Sequence, residues 1–184
     1  MRDAHGVNSS TDDQDDVGFW TLVVEDWRTH HSRWTQPGFR ALFMYRFGRW
    51  RMGIEPRVLR IPFSRLYWFM HRYVRNHYTI ELHATAKIGR RLLIAHPGAV
   101  IIHEHSTIGD DCIIRQGVTL GAADEWAEDR APVLGDRVNV GAGAMLLGRI
   151  RIGDDVRIGP NAVVIRNIPS NSTVAPAPIR VIQL

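Results

Sequence analysis

One cysteine, Cys112, is all the thiol this 184-residue chain has, so no internal disulfide can staple it. That suits a reducing cytosol, and a cytoplasmic protein is expected. No apolar run approaches the ~18 residues that a membrane-spanning helix needs. The opening residues, Met1 to Asp16, set Arg2 against five aspartates and lack the make-up of a signal or transit peptide. So polar and acidic a stretch buries too little apolar surface to fold alone, and disorder is expected there. Aromatics are nearly missing from the second half: 15 of 16 lie in residues 17–79, and only Trp126 lies beyond. Charge is equally uneven. Residues 17–79 hold 11 Arg against Glu25, Asp26 and Glu55, a net +8, whereas residues 80–184 balance 11 basic against 11 acidic groups. No nucleic-acid motif accompanies the basic segment, and no nucleic-acid partner is expected.

What the chain does have is an aliphatic residue at every sixth position. Ile88, Ile94 and Val100 keep one phase, and Ile102, Ile108, Ile114 and Leu120 a second, shifted by two residues. Leu134, Val140, Leu146, Ile152, Ile158 and Val164 keep a third. A period of six is neither the 3.6 of a helix nor the 2 of a flat strand. It suits a triangular prism in which each six-residue unit forms one face and one corner, with the aliphatic side chain pointing inward. Glycine after several of them, as in Ile88-Gly89, Ile108-Gly109, Leu120-Gly121, Ile152-Gly153 and Ile158-Gly159, is expected to permit tight corners with positive φ. The fold class expected is mainly β: a parallel β-helix of hexapeptide repeats over 80–184, preceded by a short helical segment. Leu120 and Leu134 are separated by two units plus two residues, and residues 122–131 lack core aliphatics. That stretch is expected to leave the prism as a loop, where binding residues often sit.

In residues 17–79 the apolar spacing is helical. Phe19-Trp20, Val23-Val24 and Trp27 mark a first helix. Phe39, Leu42-Phe43, Phe47 and Trp50 mark a second, with Pro37 near its start, and a third follows Pro62. Two roles fit these helices: packing against the prism or another subunit, or docking on an anionic membrane surface at its cytoplasmic face.

The runs Ala86-Lys87-Ile88-Gly89-Arg90, Ile94-Ala95-His96, Gln116-Gly117-Val118-Thr119-Leu120-Gly121 and Val140-Gly141-Ala142-Gly143-Ala144 resemble the serine acetyltransferase group of hexapeptide acyltransferases. The resemblance covers about 80–184. It implies a left-handed β-helix, a homotrimer or a multiple of it, acetyl-CoA as co-substrate with no permanently bound cofactor, and active sites between neighbouring prisms. The chemistry needs a base for a hydroxyl whose pKa lies far above 7, and donors for an oxyanion. By resemblance His96 is that base and Glu81 stands where the family carries a positioning aspartate. Pantetheine would lie along Gly121, Gly141, Ala142, Gly159 and Pro160, with Arg166 and Arg180 meeting CoA phosphates, and Arg130, Asp129 and His83 would line the acceptor side.

Two departures bear on the acceptor. The group shows Asp-His where this chain has Ala95-His96, and Asp-Arg-His-Pro where it has Asp129-Arg130-Ala131-Pro132. On that basis the pattern looks closest to the sugar O-acetyltransferases of exopolysaccharide and capsule synthesis. The function expected is therefore acetylation of a saccharide hydroxyl. Serine O-acetylation and a non-catalytic scaffold are the alternatives. His103-Glu104-His105, with His83 and His96, raises the question of zinc, which needs three convergent ligands. The motifs around them match the acyltransferase group instead, and no metal is expected.

Overall fold

The computed structural model describes residues 17–122 and 131–176. The acidic start, most of the expected 122–131 loop, and with them Asp129, Arg130 and Arg180, lie outside the described residues.

From Ile80 the chain winds as a left-handed parallel β-helix with three faces. Face one stacks β1 (Ile80–Leu82), β4 (Val100–Ile102), β7 (Thr119–Gly121), β10 (Met145–Leu147) and β13 (Val163–Val164). Face two stacks β2 (Lys87–Ile88), β5 (Thr107–Ile108), β8 (Val133–Leu134) and β11 (Arg151–Ile152). Face three stacks β3 (Leu93–Ile94), β6 (Ile113–Ile114), β9 (Asn139–Val140), β12 (Arg157–Ile158) and β14 (Thr173–Val174). The sixth-position aliphatics meet one another from coil to coil. Ile102, Leu120, Leu146 and Val164 form one inner column, Ile88, Ile108, Leu134 and Ile152 the next, and Ile94, Ile114, Val140 and Ile158 the third. None of them is more than 3% exposed. At roughly 1.5–3 kcal/mol for each buried side chain, these columns are the main stabiliser of the prism.

The register explains both breaks in phase. Gly117 N donates to Gly98 O, Gly143 N to Gln116 O and Asn161 N to Ala142 O, so Gly98, Gln116 and Ala142 are equivalent corner residues. Ile94 is equivalent to Ile114, which leaves His96-Pro97 as two extra residues between Ala95 and Gly98. The second break differs from the sequence reading. Leu134 pairs with Ile108, on the face next after that of Leu120, so the gap is one unit enlarged by eight residues rather than two units plus two. The glycines need correction as well. Gly89 and Gly109 do not have positive φ; the left-handed residues are Arg91 and Asp111, two positions later. Glycine is required at 89 because a Cβ there would strike the carbonyl of Gly109 in the next coil.

Three helices close the start of the prism: α1 (Phe19–Thr29), α2 (Pro37–Met52) and α3 (Arg60–Tyr78). Pro37 takes the first helical position of α2, where its missing N–H costs nothing. Helix α3 begins two residues ahead of Pro62, so the proline sits in the first turn. The first coil of a parallel solenoid has no coil beneath it, and its backbone groups need other partners. The helices supply them. Tyr45 Oη donates to Ala86 O at 2.8 Å and accepts from Ile88 N at 3.1 Å. Arg46, gripped by Asp26 at 2.9 Å, donates to the carbonyls of Ile88 and Gly89. His30 Nε2 accepts from Ile94 N at 3.3 Å, and Tyr67 Oη accepts from Ala84 N at 3.3 Å.

Candidate active site

The edge where face three turns into face one carries the most functional character. His96 and Pro97 are extra to the six-residue repeat, so the corner bulges outward there and His96 is exposed. It makes no hydrogen bond or ion pair among the described residues. A corner histidine kept for structure would bond to backbone, and this one does not.

Higher on the same edge lies a shallow groove of about 360 Å³. Its lining includes Gly141, Ala142, Gly159 and Pro160, with Arg115 and Arg157 on the side of face three. Four of the seven residues expected to hold CoA thus line a single groove. Ala142 is two coils above Gly98 and Pro160 three, so at ~4.8 Å per coil these two corner residues stand roughly 10 and 14 Å above the bulge, with Arg115 one coil above it. The groove has a polar wall that the sequence reading missed: Arg115, Asn139, Arg157 and Thr173. Arg115 donates to Asn139 Oδ1 and to Val140 O, which holds its guanidinium across the face. A usable signal existed, because Asn139, Arg157 and Thr173 each precede a hexad aliphatic and therefore point outward in one column. The glycine at 141 is not itself diagnostic of a ligand. A Cβ there would lie 2.6 Å from Pro160 N, so stacking alone demands glycine.

The other expected residues lie elsewhere. Gly121 closes β7 at the edge between faces one and two, and Arg166 follows β13 at the same edge. His83 and His103 occupy that edge too, one and two coils from the start, with the His103 and His105 rings 5.6 Å apart. Glu81 projects outward from the middle of β1, in register with Ile101. Its carboxylate meets His83 Nε2 at 3.2 Å rather than His96. Behind His83 lies a residue the sequence reading passed over. His71 of α3 is 4% exposed, its ring is 5.6 Å from that of His83, and its Nε2 has no partner among the described residues. Burial, and then the neighbouring His83, push its pKa below 6.5. The ring is therefore neutral at pH 7.

Comparison with known proteins agrees with this geometry. Residues 131–166 match the family model described as bacterial transferase hexapeptide (six repeats). The chain is 44% identical over 147 residues to a serine acetyltransferase of Helicobacter pylori, covering 79% of this chain and 81% of the relative. It is 41% identical over 150 residues to a serine acetyltransferase of Synechococcus elongatus, spanning 57% of that protein's length. Among solved structures, serine acetyltransferase from Brucella abortus in complex with coenzyme A superposes with a TM-score of 0.72 at 25% identity. That match covers 88% of this chain and 66% of the other.

These findings overturn the expectation of a saccharide acceptor and of a closest likeness to sugar O-acetyltransferases. That expectation rested on the small residues at 95 and 131, and Ala131 is 4% exposed, so packing accounts for its size. A similarity running through helices and prism outweighs two positions. The chain belongs to the serine acetyltransferase family of hexapeptide-repeat acyltransferases.

Proposed function

We propose that the protein transfers the acetyl group of acetyl-CoA to the hydroxyl of serine, with His96 as general base. The observation that carries this is the placement of His96: thrust out on a two-residue bulge, free of structural partners, on the edge that also carries the Gly141–Pro160 groove. The pantetheine arm would lie in that groove with its thioester toward the bulge. His96 takes the hydroxyl proton as the oxygen attacks the thioester carbonyl. The C–S bond then breaks, and the proton returns to the departing thiolate. Glu81 is paired with His83, on the edge opposite to His96, so the pair would serve the site that a neighbouring prism's His96 completes. The acceptor is assigned from the relatives, which are serine acetyltransferases.

The expected residues divide between two edges of one prism. From Gln116 to Gly121 the chain crosses face one in five steps, about 16 Å at 3.3 Å each. A single small acceptor cannot touch both edges. A trimer in which one prism's His96 edge faces a neighbour's Gly121 edge would bring Gly121, Arg166 and the base of the inserted loop to the thioester. The outer side of face one fits such burial, with Ile101, Met145 and Val163 between 39% and 63% exposed.

Release of free thiol from acetyl-CoA, followed with and without serine, tests the activity. Serine-dependent release is expected; release that serine does not accelerate would overturn the acceptor assignment. Mixing two inactive variants, His96→Ala and Arg166→Glu, tests the shared site. Recovery of part of the activity is expected, since some interfaces then hold both intact halves.

A further inference from the structure

The outer side of α3 is unpartnered and distinctive in composition. At helical spacing Pro62, Leu66, Phe69 and Tyr73 form an exposed strip, flanked by Arg65, Arg72 and Trp68. Phe69 is 70% exposed, Trp68 58% and Leu66 49%, and Val58 at 71% continues the apolar surface ahead of the helix. An apolar groove of about 220 Å³ opens beside the strip, lined by Trp34, Phe39, Phe43, Phe69, Tyr73 and Val74 among others. Contiguous apolar exposure of this kind marks an interaction surface.

Charge decides what the surface fits. Residues 56–80 contain Arg57, Arg60, Arg65, Arg72 and Arg75 and no acidic residue. Arg65 and Arg72 make no ion pair among the described residues. Against a second copy across a two-fold axis, each arginine would approach its own equivalents, opposing like charges on a desolvated surface. An anionic lipid surface answers both features at once. Aromatic side chains settle at the headgroup boundary, and each basic group gains from the surface potential. No described helix is long and apolar enough to cross a membrane, so contact would be along the surface.

We propose that the α3 face docks this protein on an anionic phospholipid bilayer. Phe69 and Trp68 enter the headgroup boundary, Arg65 and Arg72 pair with lipid phosphates, and the Trp34–Tyr73 groove receives the end of an acyl chain. The proposal is independent of the acetyl acceptor. The face lies on the helical cap, and none of its residues belongs to the His96 edge or its groove.

Sedimentation of the full chain with vesicles tests it, using phosphatidylcholine alone or mixed with phosphatidylglycerol, at low and at high salt. Binding to the mixed vesicles is expected, weakening as salt rises. Arg65→Gln with Arg72→Gln should weaken it about thirty-fold. Trp68→Ser with Phe69→Ser should also weaken it while keeping the charge. All four side chains are exposed, so helicity should hold. Absence of binding to the mixed vesicles at low salt would overturn the proposal, as would equal binding to neutral vesicles. So would a larger mass in light scattering for the wild type than for Trp68→Ser with Phe69→Ser, since the face would then be covered by another copy.

Discussion

Removing one oxygen at the base of the prism should cost more stability than most substitutions on its surface. Tyr45 is 1% exposed, and its hydroxyl bridges Ala86 O and Ile88 N, two backbone groups of the first coil that have no strand beneath them. Tyr45→Phe keeps the ring and opens no cavity, so the change isolates the hydrogen bonds. Water cannot reach the vacated position, and both backbone groups lose their partner. An unsatisfied buried donor or acceptor costs about 1–3 kcal/mol, so the pair should cost about 2–4 kcal/mol. For a chain of this size each kcal/mol moves Tm by roughly 2–4 °C, giving a fall of about 5–15 °C. Tyr67→Phe removes a single bond of 3.3 Å and should cost at most half as much. Urea unfolding at one fixed protein concentration is the assay, because the midpoint of any protein that assembles depends on concentration. The midpoint should drop with its slope unchanged. A loss below about 1 kcal/mol for Tyr45→Phe would refute the view that the helices are held on as a cap for the first coil's backbone.

Three further outcomes are expected. His96→Gln should lower kcat by roughly 10²–10⁴-fold with Tm and CoA affinity nearly unchanged, measured by thiol release and calorimetry, because the bulged corner keeps its backbone. Arg157→Gln, in the wall of the groove, should raise the KM for acetyl-CoA while leaving that for serine in place, read from initial rates with each substrate varied. Stability should be flat at pH 8–7 and fall as pH drops through about 6.5. Burial holds the pKa of both His30 and His71 below that value, so the unfolded chain binds more protons there than the folded one. Thermal melts across pH 8–5 check this, and a Tm that stays constant down to pH 5 would contradict it.

The prism was legible because its period is set by covalent length: three short faces must be spanned by equal numbers of residues, and only inward positions are constrained to be aliphatic. The phase shift at Val100–Ile102 was visible in the sequence, but its meaning was not. Only the ladder bonds from Gly117 and Gly143 show that the two extra residues are His96 and Pro97 themselves. The division of the Leu120–Leu134 gap into repeat units was misjudged for the same reason, since spacing cannot say which face Leu134 joins. The polar cap was hidden because Tyr45, Arg46 and His30 act on backbone more than sixty residues away in one case and forty in the others, with no local pattern to betray it. Gly121 and Arg166 sit on a different edge from Gly141 and Gly159 for a topological reason. One follows a strand of face one and the other a strand of face three, a distinction the six-residue rhythm treats as equivalent.

Ala95 and Ala131 misled the choice of acceptor because outward positions of a prism carry two kinds of constraint that a sequence does not separate. Where a side chain meets solvent or ligand, its size reports on recognition. Where neighbouring residues bury it, its size reports on packing. Ala131 is of the second kind: it is 4% exposed and opens the segment that returns to β8. Ala95 belongs to the first kind. Its N–H bonds to Ile114 O, fixing the backbone one residue before the bulge, and it is part-exposed beside His96. On the proposed reading, a carboxylate absent from that point is one group fewer near the acceptor, in a site to which Glu81, His83 and a neighbouring prism would also contribute. The acceptor is therefore proposed from relatives that are serine acetyltransferases at 41% and 44% identity, rather than from one methyl group.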